Sequence, residues 1–380
     1  MKKFLKRTLQ VILAIIIIFS AYALVTGKLY LFKAVWYNFA NIDDYKIFTN
    51  NTVKAGIGKP WQVAIDKPVN MLYTNELNSK MESLGTVGLL MVKNNKIVFE
   101  RYWGGYSDTS KSGSFSMAKS ITSLLIGAAI HDGVIKSVDQ PVSEFLPEFR
   151  QGEKAKVKIV DLLTMSSGSN WDESYANPLS VTTELYYGND VYKTAIGVKI
   201  VNTPGTQHRY KSGDTQLLGL IVEKATGKTL SQYAAEKLWQ PLGAEQDALW
   251  STDHNGGHEK AYCCFNSNVR DFARIGKLML DSGKINGVPV IDSAYFANST
   301  RPCSIPGVSG APCTYYGYQW WIDPVHPGIF YARGILGQYI IVIPKKNIII
   351  VRLGKKTGPR VNTVPEEVRY LINWGLGLAD

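Results

Sequence analysis

Gly113-Ser114-Phe115-Ser116-Met117-Ala118-Lys119-Ser120-Ile121 holds the only Ser-x-x-Lys of this 380-residue chain, and its reading decides the rest. Ile121, Leu124, Leu125, Ala128 and Ala129 recur at helical spacing, and Gly133 follows His131-Asp132. The pattern predicts a helix that begins near Ser116 and stops at that glycine. Residues three apart share a helix face, so the Lys119 amine reaches the Ser116 hydroxyl, and the first-turn N–H groups favour developing negative charge. A lysine accepts the serine proton only when burial or a neighbouring cation lowers its pKa. The nucleophile reading therefore requires a partly buried site; the plainer reading is a helix-capping serine beside a surface lysine.

Working outward, Val87–Val92 and Ile97–Trp103 flank a polar Lys93-Asn94-Asn95-Lys96 turn, a hairpin signal. Ile159 to Thr164 leads into Met165-Ser166-Ser167-Gly168, and the region to about Gly283 reads as mainly helical, with helices at Thr215–Ala225 and Val269–Leu280. Strand patterns return at Gly317–Ile322, Gln338–Pro344 and Asn347–Leu353, before a last helix from Pro365 to Leu376. Strands near both ends with helices between them predict an α+β fold: one antiparallel sheet assembled from the two termini, flanked by helices, with an inserted helical subdomain. Ser116 then lies at the subdomain junction, where ligand clefts concentrate.

At the N-terminus Lys2, Lys3, Lys6 and Arg7 precede a charge-free apolar run from Leu9 to Val25. This is the layout of a signal peptide, with Ala21-Tyr22-Ala23 as its cleavage site, or of an uncleaved signal anchor. The long Ile-rich run and the following Lys28, Tyr30, Lys33, Trp36 and Tyr37 favour the anchor. The expected organisation is a cytoplasmic basic segment (1–8), an anchor (9–27), a wrapping linker (28–78) and a catalytic domain (79–380). In a bacterium that domain sits on the periplasmic, extracytoplasmic side of the inner membrane, or is secreted if the signal is cleaved. The formal charge of +11 is scattered, with no aromatic-interleaved basic tract, so no nucleic-acid partner is expected.

Several further stretches join the Ser-x-x-Lys. They are Asp161-Leu162-Leu163-Thr164-Met165-Ser166-Ser167-Gly168, Pro204-Gly205-Thr206 leading to Tyr210-Lys211-Ser212, Leu217-Leu218-Gly219 through Gly227-Lys228, Arg270-Asp271-Phe272-Ala273-Arg274-Ile275-Gly276, and Gly337-Gln338-Tyr339 to Pro344. In order and spacing the chain from Val87 to Leu353 resembles the serine β-lactamase and penicillin-binding-protein superfamily, in its class C-like branch of esterases, D-peptidases and 6-aminohexanoate-dimer hydrolases. The resemblance implies Ser116 as acylated nucleophile, Lys119 as its proton acceptor and Tyr210 as the group that passes protons to the leaving group and activates water. It implies no metal and no cofactor. Ser212 is either a substrate-orienting hydroxyl or a helix cap. The oxyanion hole would pair the Ser116 N–H with one from the Gly334–Gly337 stretch, which makes Ile335, Gly337 and Gln338 substrate-binding candidates.

The chain departs from the β-lactamase pattern where a Lys-Thr-Gly strand is expected. Ile329 to Gln338 contains no lysine, and the literal Lys356-Thr357-Gly358 comes after the last strand of the sheet. Arg333 is the candidate replacement for the missing carboxylate clamp. Gly334-Ile335-Leu336-Gly337-Gln338 is more similar to the dimer-hydrolase and carboxylesterase relatives, so an amide or ester, small or peptide, is the expected substrate rather than a β-lactam. On the loop Trp171-Asp172-Glu173-Ser174-Tyr175, Tyr175 is a candidate donor to a leaving amine, and Asp172 or Glu173 a candidate ammonium ligand. The rival readings are a D-peptidase or transpeptidase, and a catalytically silent fold that binds cell-wall peptide or protein. There is no Gly-x-Ser-x-Gly, and His254 and His258 are separated by paired glycines that argue against a metal-binding helix. Cys303 and Cys313 bracket a Pro/Gly-rich loop and are expected to pair, or to pair with the Cys263-Cys264 region, since adjacent cysteines seldom bond each other.

Overall fold

A computed structural model describes residues 1–64, 73–361 and 363–378. Residues 65–72 of the expected wrapping linker lie outside the described residues. The large sheet contains β1 (Gln62–Val63), β2 (Thr86–Lys93), β3 (Lys96–Tyr102), β4 (Trp321–Ile322), β5 (Phe330–Gly334), β6 (Gln338–Ile343) and β7 (Ile348–Gly354). They lie in the order β4-β5-β6-β7-β2-β3-β1. Every pair is antiparallel except β1 on β3, so strands from both ends of the chain close one sheet, as the pattern predicts. Asn94 and Asn95 both take positive φ (49° and 63°), the two-residue turn geometry that suits a right-twisted hairpin.

β6 and β7 are buried along their whole length because helices cover both faces. Alternate residues divide between them. Val342, Ile349 and Val351 join Phe272 and Ile275 of the helix Val269–Leu280, whereas Ile341, Ile343 and Ile350 pack with Leu371 and Trp374 of the helix Glu366–Leu376. Close approach on the first face needs Gly276, where a Cβ would come 2.5 Å from Ile349 Cγ2.

A second, four-stranded sheet of Asn50–Val53, Ala248–Ser251, Phe265–Ser267 and Ser112–Gly113 takes two of its strands, Ala248–Ser251 and Phe265–Ser267, from the region expected to be mainly helical. Its strands of two to four residues are too short to display a period of two. The strand expected at Gly317–Ile322 shrinks to Trp321–Ile322 because Gln319 turns to positive φ (64°) and its amide donates to Leu162 O and Leu163 O. The small sheet matters for the site, since its strand Ser112–Gly113 delivers Ser114 to Phe265 O at 2.9 Å, two residues before Ser116.

The linker belongs to the folded unit: Ile42 and Val53 are fully buried in the main core. Ahead of it, the helix Lys2–Val25 is long and apolar enough to cross a membrane. The short helix Tyr30–Tyr37 buries Tyr30, Leu31 and Ala34 against Tyr187.

Candidate active site

The helix Met117–His131 starts where the sequence predicts and is followed by Gly133 at positive φ (75°). Phe115, just before the serine, is itself left-handed (φ 44°), a conformation that costs a bulky residue energy and that surrounding structure must enforce. That enforcement comes from β5: a Cβ on Gly334 would lie 2.2 Å from Ser114 O and 3.2 Å from Phe115 Cβ. The contact seats the Ile335–Gly337 turn beside the serine, and Ile335 and Leu336 share a cavity of about 520 Å³ with Ser116.

Lys119 is buried, and its Nζ donates to three acceptors, Ser116 Oγ, Ser212 Oγ and Tyr262 O, each at 3.0 Å. Burial lowers its pKa to about 8, against an opposing pull from Glu173. The three partners are not equivalent once the amine is neutral. Tyr262 O is a carbonyl with no proton to give, and the Ser212 hydroxyl already donates to Glu173 Oε1 at 2.6 Å. Only the Ser116 hydroxyl can turn its proton onto the lysine lone pair. Tyr210 lies across the amine, its ring 5.1 Å from Nζ. Burial chiefly, then the Glu173 charge, push its phenol upward, with hydrogen bonding to Ser116 pulling the other way. The phenol therefore stays protonated near neutrality, fit to give a proton rather than to start by taking one.

Glu173 organises the other side of this cluster. Its carboxylate accepts from Ser212 N (2.6 Å), Ser212 Oγ (2.6 Å), Trp171 Nε1 (3.0 Å) and Tyr175 OH (2.5 Å). Because its charge raises the Lys119 pKa, Glu173→Gln is expected to move the acidic limb of the pH–kcat/KM profile below its wild-type position near pH 8. A limb that stays put or moves up on a small ester would refute this electrostatic coupling.

The sequence pattern of the family described as Beta-lactamase matches residues 76–371. The chain belongs to that family. Within the Beta-lactamase family it is 27% identical to the 6-aminohexanoate-dimer hydrolase of Paenarthrobacter ureafaciens over 301 residues, 75% of this chain and 76% of the relative. A Bacillus anthracis structure described as a candidate 6-aminohexanoate-dimer hydrolase superposes with a TM-score of 0.75 at 23% identity, over 89% of this chain and 92% of that one. A family VIII carboxylesterase gives 0.65 at 18%, over 84% and 99%. These likenesses carry the fold.

Against this Beta-lactamase fold, Ser116, Lys119, Tyr210 and Ser212 meet at one point, and Tyr175 and Ile335 line the same cavity. Ser212 bonds Lys119 and Glu173 and opens the helix Ser212–Thr226 as its first residue, with Lys211 at the cap position. Four candidates lie elsewhere. Asp172 caps its own loop by accepting from Ser174 N and lines a neighbouring cavity; its place is taken by Glu173. Arg333 donates to Thr363 O (2.9 Å) and stacks on Trp321 (4.5 Å), which in turn packs on Tyr210. It buttresses the tyrosine instead of facing the cavity as a clamp. Gln338 is buried and bridges β7 to the turn through Gly354 O and Ile335 O. Gly337 (φ 85°) leaves room for Arg352, whose Nη1 would lie 1.8 Å from a Cβ there. Both shape the turn.

The cysteines also depart from expectation. Cys263 and Cys264 are bonded to each other, with Cys264 in the left-handed region (φ 67°), a backbone state that spacing does not foresee. Cys263 lines the Ser116 cavity. Cys303 and Cys313 keep free thiols and cluster with His208, their ligand-capable atoms within 4.8 Å of one another. The cluster lies behind Tyr316, whose ring contacts both His208 and Tyr210.

Proposed function

We propose that this protein is a serine hydrolase that cleaves an ester or amide through an acyl-enzyme on Ser116, with its catalytic domain on the extracytoplasmic face of a membrane that the helix Lys2–Val25 anchors. The observation that carries the reading is the buried Lys119 amine 3.0 Å from Ser116 Oγ, the one of its three hydrogen-bond partners whose proton is free to turn onto the amine. Neutral Lys119 takes the Ser116 proton as Oγ attacks the carbonyl carbon, and the oxyanion is held by the Ser116 N–H and an N–H of the Gly334–Gly337 turn. Tyr210 gives its proton to the departing oxygen or nitrogen and is reprotonated through Lys119. Water then enters along the leaving-group path and attacks the acyl carbon, its proton passes through the same pair to Ser116 Oγ as the acyl–Oγ bond breaks, and the acid is released. Arg333 is held on Trp321 and Thr363, and among the described residues that line the cavity there is no arginine, which favours uncharged esters and amides over penicillins.

The test is intact mass and peptide mapping of the purified protein after a fluorophosphonate and, separately, a penicillin. The expected result is one phosphonyl adduct, mapped to Ser116, and no lasting penicilloyl adduct. A folded protein that takes no fluorophosphonate, or takes it on another serine, would end the Ser116 assignment.

A further inference from the structure

The Ser116 cavity is walled in part by the segment that follows the anchor. Val35 and Phe39 line it together with Phe115, Pro178, Ile335 and Leu336, so away from Ser116 and Ser212 the surface it offers is largely apolar. The same segment is apolar on its outer side. Tyr30, Leu31 and Ala34 are buried against the domain, whereas Leu29, Phe32, Trp36 and Phe39 form an exposed stripe, Trp36 at 83% and Phe39 at 76%. The helix Lys2–Val25 stops just before it; only Thr26, Gly27 and Lys28 intervene, a reach of roughly 10 Å at full extension. Within this 24-residue helix the charge-free part Leu9–Val25 spans about 25 Å, close to a hydrocarbon core of about 30 Å. Its exposed apolar residues run to Leu24 and Val25, while Ala23 is buried with Tyr30 and Leu31 and Phe19 packs on Phe32, so the end of the anchor helix and the stripe are packed together. Tryptophan and phenylalanine on such a stripe are suited to the headgroup boundary.

We propose that the Ser116 cavity takes the apolar chain of an amphiphilic ester or amide resident in the extracytoplasmic leaflet, with segment 29–40 serving both as seat on the bilayer surface and as cavity wall. The proposal rests on the hydrolase reading above and names its substrate class. The bilayer covers the stripe, the cavity mouth beside Val35 and Phe39 opens at the level of the lipid headgroups, and the scissile carbonyl reaches Ser116 while its chain remains in an apolar environment throughout. The chemistry is that of the proposed cycle: the ester or amide bond breaks, the acyl group passes to Ser116 and then to water, and the alcohol or amine leaves with a proton.

The experiment uses the full chain reconstituted in phosphatidylethanolamine–phosphatidylglycerol vesicles. Turnover is measured on p-nitrophenyl acetate, p-nitrophenyl octanoate and vesicle-embedded 4-methylumbelliferyl palmitate. The wild type is expected to prefer octanoate to acetate and to hydrolyse the embedded ester. Val35→Asp and Phe39→Asp are expected to lower the octanoate-to-acetate ratio of kcat/KM at least ~10-fold, and Trp36→Ser to lower the embedded-to-soluble ratio ~5-fold. Brominated lipids are expected to quench wild-type fluorescence more than that of Trp36→Phe. A wild type labelled at Ser116 that prefers acetate, ratios unmoved in the variants, or equal quenching would each overturn this proposal alone. Folded protein inert to every ester and to fluorophosphonate would overturn the hydrolase reading and this one with it.

Discussion

Lys119→Ala is expected to lower kcat/KM on a small ester by about three to four orders of magnitude while the protein remains folded. Among the described residues the amine is the one base within hydrogen-bond distance of the Ser116 hydroxyl, since Tyr210 is held protonated by burial and by the Glu173 charge. Arginine does not substitute: a guanidinium stays charged at any working pH and has no lone pair to offer. The same burial carries a stability signature with a definite sign. The folded pKa of about 8 lies below the ordinary 10.5, so below pH 8 the folded state must hold a cation it disfavours. Between 8 and 10.5 the unfolded chain binds more protons than the folded one, and stability contributed by this group rises with pH. Lys119→Met removes the penalty. Its melting temperature relative to wild type is therefore expected to be highest below pH 8 and to decline as pH rises toward 10.5. A relative melting temperature that is flat or rises across that window, or activity retained within tenfold by Lys119→Ala, would remove lysine from the proposed role.

Arg352→Met is expected to cost about 4 kcal/mol of stability and to slow fluorophosphonate labelling of Ser116 in whatever protein still folds. The Arg352 side chain is fully buried in β7. It donates to Thr86 Oγ1 (2.9 Å), Gly337 O (2.8 Å), Leu84 O (3.1 Å) and Lys356 O (3.4 Å). A methionine of similar length leaves the buried Gly337 carbonyl and the part-buried Leu84 and Lys356 carbonyls without that donor. Gly337 ends the turn that presses on Ser114 and Phe115, so losing its tie releases the turn proposed to hold the oxyanion. Urea titration reads the first effect and labelling at a temperature where the variant is folded reads the second. Stability within 1 kcal/mol of wild type would mean the guanidinium is replaceable by packing; unchanged labelling would separate the turn from the reaction.

The elements legible in the sequence were those whose signal is long or local. Helix Val269–Leu280 has the apolar stripe of a helix packed on a sheet, and the β2–β3 hairpin has its polar turn. Ser116 and Lys119 stand three apart on one helix, so their meeting follows from helical geometry alone. Ser212 and Tyr262 bond Lys119 directly and Glu173 bonds Ser212, three separate segments whose convergence no spacing along the chain encodes. The misplaced side chains share a cause. Arg333 and Gln338 are polar residues beside the site, and a sequence records that such groups need partners without recording whether a partner is substrate or backbone. Here backbone carbonyls supply them.

The closure of the large sheet has a consequence for biogenesis. Lys93 in β2 pairs with Ile348 in β7, so a hairpin made early has its neighbour made nearly last. At ~5–20 residues per second the intervening stretch takes roughly 10–50 s to emerge. Throughout that interval the β2 edge, apolar on both faces, is an open template for pairing with other chains. In the proposed orientation, with residues 1–8 left in the cytoplasm and the domain exported from its N-terminal end, translocation would coincide with the most association-prone form, and an uncleaved anchor holding each chain apart in the bilayer plane would offset that hazard until the last strands arrive.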